Sequence, residues 1–97
     1  MGVKFNREYK DISDDLAKAL QTIDDCYMFL EMEHADWNSL EEEERYECVR
    51  TLSDDIFYAL GSFRKVSVGS GAVEYDAEKH WIKVSAAPSL VHIIPLI

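Results

Sequence analysis

The spacing of apolar residues divides the chain in two. From Tyr9 onward they recur every three or four positions. On a wheel of about 100° per residue, Tyr9, Ile12, Leu16, Ala19, Leu20, Ile23, Cys26, Tyr27 and Leu30 share one broad face. Asp11, Asp14, Lys18 and Asp25 lie roughly opposite. This pattern predicts a helix over about 9–35, with Ser13 as a candidate cap and the Asp14–Asp15 pair suited to a helix N-terminus. A break at ADWNS follows. Ser39 with Glu42 has capping-box spacing, Glu41–Glu44 suit the positive end of a helix dipole, and Gly61 suits its termination. A second helix is therefore expected over about 39–60, its apolar face built from Cys48, Val49, Leu52, Ile56, Ala59 and Leu60.

ISDDLAKAL (12–20) is echoed by LSDDIFYAL (52–60). The matched apolar positions are core-facing in both predicted helices, and Asp14 and Asp54 are expected to face water. Nothing beyond these nine residues repeats, so the echo reads as one structural solution used twice.

Beyond residue 61 the period falls to two. FRKVSV, AVEYD, HWIKVS and LVHIIP predict strands over about 62–68, 72–76, 80–85 and 89–94, and Val3–Phe5 can add a short one. If Tyr75 faces Ile82, then Val73 faces Val84 on one side of the sheet, while Glu74, Trp81 and Lys83 fall on the other. Ala86–Pro88 interrupts the last pair, and Pro95 restricts the last strand to an edge or its own end. The expectation is a single α+β domain over 1–97: a two-helix hairpin packed on an antiparallel sheet of three to four strands. In architecture alone this resembles acidic proteins of the order ααββββ proposed to mimic duplex DNA; no shared motif supports a family assignment.

Charge sharpens the picture. The 97 residues carry a net −9. Residues 1–60 hold six Lys/Arg against sixteen Asp/Glu, and residues 61–97 hold four against three. Such an acidic half repels phosphate backbones and anionic membrane surfaces and attracts basic protein surfaces. Arg64, Lys65, Trp81 and Lys83 make only a small basic–aromatic counterweight, which argues against nucleic acid. No apolar run approaches the ~20 residues of a membrane span. MGVKFNREYK has no apolar signal core, so a cytoplasmic protein with reduced thiols is expected.

Candidate chemistry is sparse. Cys26 lies eleven residues before Trp37 and Cys48 eleven after it, so a hairpin turning there sets them at one level as small buried residues close enough to consider a bridge. Glu31 and His34 have the i,i+3 spacing of carboxylate-bundle metal sites, but the second such pair is missing. Neither a phosphate loop nor a catalytic triad is written locally. The expected cofactor, metal and catalytic complement is therefore none.

Two features go beyond solubility. The segment CYMFLEM is apolar nearly all round, with Met28, Phe29 and Met32 opposite the core stripe, and HIIPLI is uncharged. Either is covered within the chain or offered to another chain. The expected role is a non-catalytic interaction module of inhibitor, immunity, antitoxin or DNA-mimic type. It presents Asp14, Asp25, Glu44, Glu47, Asp54 and Asp55, with Met28, Phe29 and Met32, to a basic protein partner. The alternatives are a metal-dependent enzyme on a phosphorylated metabolite, or a structural homodimer built through the Met/Phe patch or the last strand.

Overall fold

The computed structural model describes residues 3–86 and 89–97. Three α-helices and a short 3-10 helix precede a four-stranded antiparallel sheet, as the α+β expectation requires. The elements are α1 (Tyr9–Leu20), the 3-10 helix (Cys26–Leu30), α2 (His34–Ser39), α3 (Glu42–Ala59), β1 (Lys65–Val68), β2 (Gly71–Asp76), β3 (Trp81–Ala86) and β4 (Leu90–Pro95). The strands lie in the order β1-β2-β3-β4. Ala87 and Pro88, within the expected interruption, fall outside the described residues.

The strand parity is as expected. Tyr75 pairs with Ile82 and Val73 with Val84, and Glu74 faces Lys83 across the other side, their charges 3.7 Å apart. Ile12, Leu16, Leu20, Leu52 and Ile56 from the helices close over Val68, Val73, Ile82 and Val84, and all are fully buried. At 0.8 kcal/mol or so per buried CH₂, this layer is the main source of stability.

The first helix differs from expectation. It ends at Leu20, not near residue 35. The Thr22 hydroxyl donates to the Ala19 carbonyl at 2.6 Å, and the Thr22 amide takes the same acceptor. Ile23 N–H, which would bond Ala19 in a continuing helix, donates to Leu20 instead. A side-chain hydroxyl competing for a backbone acceptor, with a shift to i→i+3 bonding, ends the helix. Apolar spacing of three to four residues still suits the 3-10 turn that follows, which Glu31 closes at φ 56°.

Capping is also redistributed. Ser13 is no cap: it is buried inside α1. Residues 34–39 form α2, and the capping box of α3 is Glu41 with Glu44 rather than Ser39 with Glu42. Val3–Phe5 forms no strand. This segment passes the sheet end, where Lys4 N–H donates to the Tyr75 hydroxyl and Asn6 and Arg7 N–H donate to the Leu96 carbonyl.

The echo is resolved by packing. α1 and α3 cross antiparallel, with Ser13 Oγ 3.3 Å from Ser53 Oγ at the crossing. Arg50 donates to Asp14 at 2.7 Å on one side, and the Tyr9 hydroxyl donates to Asp54 at 2.6 Å on the other. The repeated SDD thus gives each helix a small residue at the contact and an acceptor beside it. Cys26 and Cys48 are both free thiols. Burial, and then the Asp25 charge, push the Cys26 thiol up to about 11, which keeps it protonated and inert near neutrality.

Candidate protein-interaction surface

α3 packs against α1 and turns Val49, Leu52 and Ile56 into the core, which leaves a polar side in water. Glu43, Glu47, Thr51, Asp54 and Tyr58 are all exposed and follow one another at three- or four-residue steps, so they form one stripe. Asp55 is exposed on the flank of this stripe. Tyr58 is 85 % exposed, the most open large apolar side chain described. Sequence reasoning passed over it, although its position four residues after Asp54 places it at the end of the acidic row.

The other expected contact residues have mixed placements. Glu44 is exposed, but its carboxylate closes the capping box by accepting from the Glu41 N–H at 3.1 Å. Asp14 is half-buried and paired with Arg50. Asp54 accepts from Tyr9 yet stays exposed. Burial and the bond to Asp54 push the Tyr9 hydroxyl up to about 12.

Asp25 turns away from the expected acidic face. Its Oδ1 accepts from the Ser70 backbone N–H and the Ser70 hydroxyl, both at 2.9 Å, and so ties the 3-10 helix to the β1–β2 turn. The backbone bond from Ser70 holds the Asp25 carboxyl below its ordinary range. Gly69, at φ 56°, lies so close that an added Cβ would strike the Asp25 carbonyl and carboxylate.

The apolar patch is only partly open. Met28 is 58 % exposed, whereas Phe29 and Met32 are half-buried against the core. These residues stand on the 3-10 helix and just after it, while the acidic stripe belongs to α3. The two features are therefore carried by separate elements.

The remaining candidates are engaged locally. His34 is 3.0 Å from the Asn38 side chain and lies beside Tyr27, which stacks on Trp37. Trp81 carries its own cation, Lys79, 5.2 Å above the ring, and Lys83 faces Glu74. Among the described residues no three His, Cys, Asp or Glu side chains converge to hold a metal ion, and no helix is long and apolar enough to cross a membrane. No protein family, curated protein or solved structure matches the chain.

The electrostatics of the surface follow from these placements. Residues 24–47 hold ten Asp/Glu and one cation, Arg45. Arg45 lines a cleft of about 480 Å³ with Asp24, Trp37 and Glu42, and its Nε is buried without a partner. The ion pairs among the described residues join Arg7 to Asp15, Arg50 to Asp14 and Lys83 to Glu74. None of them neutralises a carboxylate of α2 or α3.

Proposed function

We propose that this is a non-catalytic cytoplasmic binding protein whose acidic α2–α3 surface takes a basic protein partner. The observation that carries the reading is the excess charge: among the described residues no ion pair engages Glu42, Glu43, Glu47, Asp54 or Asp55. A row of unpaired carboxylates raises the local potential and speeds encounter with a basic surface, an effect that salt weakens. Tyr58 supplies what charge lacks, an aromatic side chain of the kind that anchors interfaces when desolvated. Met28 offers a second adaptable apolar contact. Inhibitors, immunity proteins, antitoxins and mimics of DNA charge all work by this physics.

The test is capture from source-cell lysate at low and high salt, run in parallel with a Glu43→Lys/Glu47→Lys/Asp54→Lys variant. The reading expects a basic protein that the natural chain retains at low salt, that high salt releases and that the variant fails to retain. Equal retention by both chains, or retention of neutral proteins alone, would count against it.

A further inference from the structure

The sheet has two edges, and they are guarded differently. β1 is four residues long and places Lys65 and Ser67 on the open side of the sheet. A short, charged edge strand discourages pairing with another chain. β4 is six residues long and uncharged, with Leu90 45 %, Val91 53 % and Ile93 43 % exposed.

The ladder fixes which backbone groups of β4 are free. Leu96 N–H donates to the His80 carbonyl, so hydrogen-bonded pairs recur every second residue through Ile94, His92 and Leu90. Val91 and Ile93 therefore point their N–H and C=O groups away from the sheet. Pro95 has no N–H, and its carbonyl accepts from Arg7 Nη1 at 2.7 Å, which closes the edge at that end.

We propose that β4 pairs with β4 of a second copy, antiparallel about a two-fold axis at His92, joining two four-stranded sheets into one. The register follows from the free groups. Val91 opposite Ile93 of the second copy uses every outward donor and acceptor of both residues, giving four backbone bonds across the axis. Shifting the centre to Ile93 would set Val91 against Pro95, which has no donor to give.

The chemistry of the edge selects a second copy as occupant. It is apolar and uncharged, so a charged strand finds no complement there, and β4 itself is a strand of the required kind. It also belongs to residues 61–97, where four Lys/Arg meet three Asp/Glu, so the copies meet away from the strongest like charge. Asp15 and Lys18 flank His92 in the cleft between α1 and β4. Asp15 is already held by Arg7 at 2.9 Å, so this cleft adds no free carboxylate to the contact. This inference does not depend on the acidic surface.

Sedimentation of the full chain over a micromolar-to-millimolar series should show a particle of twice 11.2 kDa at high concentration. Ile93→Lys should restore the monomer with its fold intact, because Ile93 is exposed. Met28→Glu should leave the dimer unchanged. Amide exchange supplies a readout without substitution: Val91 and Ile93 N–H should become protected as concentration rises, while His92 and Ile94 N–H stay protected throughout. A monomer at all concentrations, a dimer that survives Ile93→Lys, or Val91 and Ile93 amides that exchange freely at every concentration would overturn the proposal.

Discussion

Ser13 and Ser53 are the buried polar side chains among the described residues, and each is nearly sealed from water. The Ser53 hydroxyl donates to the Arg50 carbonyl at 2.7 Å, so across the crossing Ser13 donates and Ser53 accepts. Replacing both with Ala removes donor and acceptor together, so the double variant should lie within about 1 kcal/mol of the parent. Ser13→Leu forces bulk into the helix crossing and should cost roughly 2 kcal/mol or more. Chemical denaturation checks both; a double Ala variant worse than the Leu variant would mean that the hydroxyl pair, rather than the close approach, holds the helices. Asp25 gives a pH signature. Its carboxyl is held below its ordinary value in the fold, chiefly by the Ser70 N–H, so its stabilisation is present above the unfolded value and fades as pH falls through the folded one. Asp25→Ala should therefore lower stability by about 1 kcal/mol near neutrality and converge on the parent in strong acid. A gap that persists at low pH would show that lost packing, and not the ionised carboxylate, matters.

At the scale of elements, the strands were the more legible half of the fold. Alternation fixes which side each residue faces, and one pairing assumption then sets the β2–β3 register: Tyr75 against Ile82 carries Val73 to Val84. The helices were legible as faces but not as lengths. Ile23, Cys26 and Leu30 continue the apolar spacing beyond Leu20, and a 3-10 turn satisfies that spacing as well as an α-helix does. What stops α1 is the Thr22 hydroxyl, and what holds the next segment is an Asp25–Ser70 bond spanning 45 positions, which no local pattern encodes. The same bond removed Asp25 from the expected acidic face. Glu47 and Asp55 were legible as solvent-facing because amphipathic spacing fixes the outer side of α3; the same spacing places Tyr58 there, but an aromatic in an acidic row carries no local signal of its role. Capping offers a test at this scale. Glu44→Ala breaks the box that starts α3 and should destabilise the protein by about 1 kcal/mol, while Glu44→Gln keeps the reach back to Glu41 N–H and should retain most of it. Equal losses in thermal melts would place the start of α3 elsewhere.

For the whole molecule, a net −9 concentrated in the helical half acts against its own fold. Added salt screens that repulsion more than it weakens the three half-exposed ion pairs. Tm should therefore rise with sodium chloride, by about 4–8 °C for each 1 kcal/mol of relief in a domain this size. A calorimetric Tm that falls with salt would show the ion pairs to dominate. The same unbalanced field is the basis of the proposed binding role, and it can be probed with a defined ligand. An oligo-arginine peptide titrated into isotopically labelled protein at low salt should shift the amide resonances of Glu43, Glu47, Asp54, Asp55 and Tyr58 together, saturably and reversibly on adding salt. Resonances that stay unmoved on α3, or that move first on the open face of the sheet, would contradict an acidic helical docking surface.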